Sequence, residues 1–153
     1  MSVVSAGPTF SDRVAEALYG EALALADQTH GYYDAAGREE REGLAPAQRV
    51  QFACEALKAT TRLMHVIAWL AMRRAIARGE MAEGDPRSAE RRLGDSAASD
   101  MAVLDRLPSS ARQLILAGID LYERVARIAD GPDAPAAAAS PARALMERLE
   151  SAF

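Results

Sequence analysis

The stretch TTRLMHVIAWLAMRRA, Thr60 to Ala75, is almost entirely apolar between its arginines, and its reading decides the fold. Only the ten residues Leu63 to Met72 separate Arg62 from Arg73, and His65 lies among them. A membrane-spanning helix needs ~20 mainly apolar residues. The run therefore reads as part of a long, buried helix. That helix can begin at Pro46, because the amide proline lacks would have no helical partner in a first turn. No further proline or glycine interrupts it before Gly79, so at ~1.5 Å per residue it would extend about 50 Å.

Within this helix Val50, Leu57, Met64 and Ala71 recur at seven residues, and Cys54, Thr61, Ala68 and Ala75 follow each by four. These two lines have the form of a coiled-coil seam, one line large and one small. Phe52, Leu63, Val66, Ile67, Trp69 and Leu70 fall outside it. With the seam buried against one neighbour, that second apolar set would be left in water. The expectation is a central helix touched by two others and, at its middle, by a second subunit, since a continuous apolar belt marks an interface. The residues expected at a dimer or partner contact are Leu63, Val66, Trp69, Leu70, Met72, Arg73 and Arg74. Trp69 reads first as a core or dimer anchor, with an exposed contact for another partner as the alternative.

Two further helices flank the long one. Thr9 can cap a helix from Phe10, with Asp12 completing a capping box. Phe10, Val14, Leu18, Leu25 and Tyr32 then mark one face as far as about Ala36. GREEREGLAP, 37–46, reads as a charged connection. A third helix runs from Pro108 to Asp130, with Ala111, Gly118 and Val125 on one line and Leu114 or Ile115, Leu121 or Tyr122, and Ile128 on the other. Gly118 lowers its helix propensity, and close approach of a neighbouring backbone is the expected compensation. The intervening segment, near 79–107, reads as a long loop with a turn of helix at Ala89 to Leu93. GPDAPAAAASPA has the composition of a flexible linker, and beyond it Leu145, Leu149 and Phe153 share one narrow face. About ten helical residues are marginal alone in water, so this tail should order only by docking on a partner or on a groove of its own bundle. The expected organisation is all-α: a three-helix bundle over 9–131, dimeric, with a flexible tail at 132–153.

Composition narrows the functional classes. The chain of 153 residues is 50% hydrophobic but only 5% aromatic, with a formal net charge of -4. That charge argues against a phosphate-binding face. The arginines Arg73, Arg74, Arg78, Arg87, Arg91 and Arg92 cluster late in the long helix and after it, where helix-end interaction and solubility explain them first and an acidic protein surface second. One cysteine, Cys54, makes no internal disulfide, and the start MSVVSAGPTFSDR lacks a basic, apolar leader; a cytoplasmic address is expected. His30 and His65 are the only histidines. Cys54 and His65 stand ~16 Å apart along a straight helix axis, too far for a catalytic dyad. No HExxH, CxxC, GxxxxGK[ST] or GxGxxG is present. No catalytic, cofactor-binding or metal residue is assigned, and no enzyme is expected.

Two blocks, QFACEALKATTRLMHVIAWLAMRRAIARGEM (51–81) and DRLPSSARQLILAGIDLYERVARI (105–128), resemble an alphaproteobacterial family of protease adaptors, DUF1465, that includes the regulator of CtrA degradation. FSDRVAEALYGEALALADQTHGYY (10–33) fits its first helix more loosely. The resemblance implies a homodimeric, non-enzymatic adaptor that helps deliver cell-cycle regulators to the ClpXP protease together with accessory adaptors. It also implies a polar position in the cell. A ligand-binding regulatory helical bundle is the alternative class.

Overall fold

A computed structural model describes residues 7–131. The expected linker and the tail contacts Leu145, Leu149 and Phe153 lie outside them. Within them the chain is all-α, but it contains five helices rather than three: α1 (Phe10–Asp34), α2 (Ala36–Glu42), α3 (Pro46–Ala77), α4 (Met101–Leu104) and α5 (Ser109–Asp130). The simple three-helix bundle is thereby corrected. The long helices form where periodicity placed them; both short ones occupy segments read as connections.

Local chemistry explains both additions. In α1 the Thr9 hydroxyl accepts from the Asp12 amide at 3.1 Å, and Asp12 accepts from the Thr9 amide at 2.9 Å, so the expected capping box is present. After Ala35 the chain turns once and starts again as α2. Gly37 is buried there, and a Cβ on it would lie 2.8 Å from the Tyr32 carbonyl oxygen. The Tyr32 hydroxyl donates to Glu40 across the turn, giving the charged segment a fixed place that composition did not reveal. In α4 the Asp100 side chain accepts from the amides of Ala102 and Val103, a four-residue helix begun by one cap. The helical turn expected at Ala89 to Leu93 is instead a series of turns held by Ser88 and Asp85.

Phe52 on α3 packs with Ala111 and Ile115 near the start of α5. Trp69 and Leu70 pack with Leu121 and Val125 near its end. Helices α3 and α5 therefore run parallel. Helix α1 opposes both, for Arg74 late in α3 meets Glu16 early in α1 at 2.7 Å. Two successive long helices that run parallel demand a return path back along the first of them. That requirement accounts for the extended segment 79–100.

The core reverses the expected faces of α3. Leu63, Val66, Trp69 and Leu70 are buried within this one chain. The seam residues Val50, Leu57 and Met64 are instead 63%, 68% and 64% exposed, and Cys54 is exposed beside them. On α1, Phe10 is exposed and the inward line is Ala15, Leu18, Ala22, Leu25 and Thr29; Thr29 satisfies its hydroxyl on the Leu25 carbonyl at 2.7 Å. Helix α5 follows its expected lines, burying Ala111, Ile115, Gly118, Leu121 and Val125. A Cβ at Gly118 would nonetheless meet nothing within 4 Å, so no close backbone approach compensates that glycine.

Gly118→Ala should accordingly raise unfolding free energy by about 0.5–1 kcal/mol. Trp69→Ala should lower it by ~3–5 kcal/mol. Denaturant titration of the two variants checks both signs; a destabilised alanine at 118 would mean that the helix relies on the missing side chain.

Candidate functional site

The return segment is a strap laid along α3. Arg91 reaches back over Met72, with its Nη1 3.9 Å from the sulfur. Gly94 crosses His65 so closely that a Cβ there would sit 2.8 Å from the imidazole. Arg62 donates to the Ala97 carbonyl at 3.1 Å and to the Ser99 hydroxyl at 3.2 Å. Glu55 accepts from the Asp100 amide at 3.2 Å. As the strap advances from 91 to 100, its contacts on α3 step back from 72 to 55. On the other flank, the Tyr122 hydroxyl donates to the Gly94 carbonyl at 2.9 Å, so α5 also grips the strap.

Glu55 and Arg62 are 2% and 4% exposed, deep for ionic groups. Burying a charge is costly unless hydrogen bonds replace its hydration. Here the strap backbone supplies partners for both, and Lys58 adds an ion pair to Glu55 at 2.9 Å. Burial pushes the Glu55 pKa up, but hydrogen bonds from Lys58, the Asp100 amide and Ser99 outweigh it and hold the carboxyl below its ordinary 4.5. Burial lowers the Arg62 pKa, opposed by the charge of Glu55. Burial and Glu55 together push the Tyr33 hydroxyl up to about 12. Glu55 Oε2, Arg62 Nη1, Tyr33 Oη and His65 Nδ1 are buried without a protein partner.

The strap face is polar and covered; the opposite face of α3 is apolar and open. The uncovered seam of Val50, Cys54, Leu57 and Met64 is the strongest candidate for protein contact. It was legible as a periodic pattern, but its direction was not. Of the residues expected at a dimer or partner contact, Leu63, Val66, Trp69 and Leu70 belong to the core, so their apolar surplus calls for no second subunit. Met72 is half-buried against the core. Arg73 pairs with Glu83 at 3.0 Å. Arg74 pairs with Glu16 and stacks 4.4 Å above the Tyr19 ring. Both arginines thus have partners within the chain. Glu55 and Arg62 were not singled out in the sequence; two opposite charges seven residues apart in an apolar helix were the available signal.

No group of three or more His, Cys, Asp or Glu side chains among the described residues is placed to hold a metal ion. No described helix is long and apolar enough to cross a membrane. His30 lies on the surface, 3.1 Å from Asp34. A cleft of about 1020 Å³ opens between the start of α1, the second half of α3, the strap and the end of α5.

The sequence profile described as "Protein of unknown function (DUF1465)" matches residues 7–153. The crystal structure of RcdA from Caulobacter crescentus CB15 is similar, with a TM-score of 0.64 and 30% sequence identity over 75% of this chain and 87% of that one. No curated protein sequence matches the chain.

The low Glu55 pKa fixes a pH dependence. Its folded value lies below the unfolded one, so its contribution is complete above about pH 4.5 and is lost as pH falls through the folded value. Glu55→Gln should cost ~1–3 kcal/mol at neutral pH, a difference that narrows below pH 4.5. Urea unfolding of both proteins across pH 3–7 tests this; a gap independent of pH would remove the charge from the explanation.

Proposed function

The chain belongs to the DUF1465 family of RcdA-like proteins, and from that premise we propose that it is a non-enzymatic adaptor aiding delivery of cell-cycle regulatory proteins to the ClpXP protease. Family membership carries the reading, and the uncovered outer face of α3 supports it. An adaptor needs surfaces its own fold leaves free. Val50, Leu57 and Met64 spend apolar area on water while Glu55 and Arg62 face inward, an arrangement that self-folding alone does not favour.

The same face suits a second copy of the chain. Its large line and small line recur at seven residues, the pattern by which one helix accepts the side chains of another. On this reading the homodimer forms across the Val50–Cys54–Leu57–Met64 seam, with residues 9–131 as the folded platform and 132–153 as a tethered extension. The setting is the cytoplasm, with polar placement in the cell following the family.

Leu57→Glu combined with Met64→Glu should convert the dimer to a monomer in sedimentation, with unfolding free energy changed by no more than ~0.5 kcal/mol. An unchanged mass would exclude this seam. The tagged full chain, recovered from its own cells, should bring down ClpXP components or their regulated substrates; recovery without any of them would count against the adaptor role.

A further inference from the structure

Next to the strap's anchors, the fold brings together two buried oxygens of opposite hydrogen-bonding character without joining them. Tyr33 Oη and Glu55 Oε2 are both buried with no protein partner. Burial first, and then the charge of Glu55, push the Tyr33 hydroxyl up to about 12, which marks the two groups as electrostatic neighbours. The phenol is therefore protonated at neutral pH, a donor facing a carboxylate that only accepts.

Contacts on both sides hold the gap open. Glu55 is tied through Oε1, which accepts from Lys58 Nζ at 2.9 Å and from the Asp100 amide at 3.2 Å. The Tyr33 ring packs 5.2 Å from the Tyr32 ring and edge-on to Phe52 at 5.8 Å. Phe52 precedes Glu55 by three residues on α3, so the two share one side of that helix and Tyr33 rests beside the carboxylate.

A buried donor and a buried acceptor left apart are costly, and native folds satisfy nearly all such groups. Whatever joins these two must accept one bond and donate another, and must be small and neutral. A metal ion would need more ligands, and among the described residues no three His, Cys, Asp or Glu side chains gather to hold one. An anion would be repelled by Glu55. Water meets every requirement, and internal waters in globular proteins occupy polar positions of this kind.

We propose that one internal water bridges Tyr33 Oη and Glu55 Oε2, accepting from the hydroxyl and donating to the carboxylate. Through it a single carboxylate joins three parts of the fold: the end of α1, the middle of α3, and the strap at Asp100. This inference concerns one chain alone and stands whether or not the protein serves ClpXP.

Magnetic relaxation dispersion of the water oxygen tests it on the full chain in solution, because it detects waters held longer than the protein takes to tumble. The wild type should show such a signal. Tyr33→Phe keeps the ring and removes the donor, and should lower the amplitude by about one water. No long-lived water in the wild type would overturn the proposal, as would an amplitude that Tyr33→Phe leaves unchanged. Should Tyr33→Phe fail to fold, a high-resolution crystal structure of the wild type decides instead. A water within hydrogen-bond distance of both oxygens supports the bridge, and a dry gap between them overturns it.

Discussion

The architecture depends on a strap whose backbone satisfies two buried charges. Helices α3 and α5 are parallel, so the chain must travel back along α3 before α5 can start. An extended segment has no hydrogen-bond ladder of its own, and its amides and carbonyls need partners wherever it is covered. Arg62 and Glu55 provide them at Ala97, Ser99 and Asp100. The dependence is mutual: the strap that takes both ions out of water also supplies hydrogen-bond partners for them, and without the ions its end would lack anchors. A buried ionic contact is weak evidence of stability by itself but can select one arrangement over others. Here the two charges meet the strap on the path that makes α3 and α5 parallel.

That choice divides α3 into three faces. One meets α1 and α5 through Phe52, Leu63, Val66 and Leu70; one carries the strap over Glu55, Arg62 and His65; one remains outside with Val50, Leu57 and Met64. Because two of the three are occupied within the chain, the third is where association can occur without unfolding anything. Among the described residues, the Val50–Leu57–Met64 line is the apolar face of α3 that the chain's other helices and the strap leave open.

Much of the fold was legible in the sequence, and the failures share a cause. Thr9 and Asp12 named the start of α1, Pro46 the start of α3, and Ala111, Gly118 and Val125 the inner line of α5, because each signal acts within a few residues. The inward direction of α3 was not legible. Its most regular apolar lines are the exposed ones, while its true inner and strap faces include a glutamate and an arginine that only the strap renders compatible with burial. Partners 35 and 45 residues distant leave no periodic trace. Likewise α2 depends on Gly37 against Tyr32 and on Glu40 accepting from that tyrosine, contacts that composition reads only as a charged loop. The adaptor class came from resemblance in two blocks, one of which contains the misoriented face.

Native-state hydrogen exchange at the amide of Asp100 tests the strap most directly, because that amide lies outside the regular helices and its partner is the buried Glu55. The account predicts slow exchange in the intact protein, accelerated by Arg62→Ala at the strap while the amides of mid-α1 keep their protection. Exchange at Asp100 as fast as in an unstructured peptide would contradict it, for the strap would then be loose and the two charges would hold nothing.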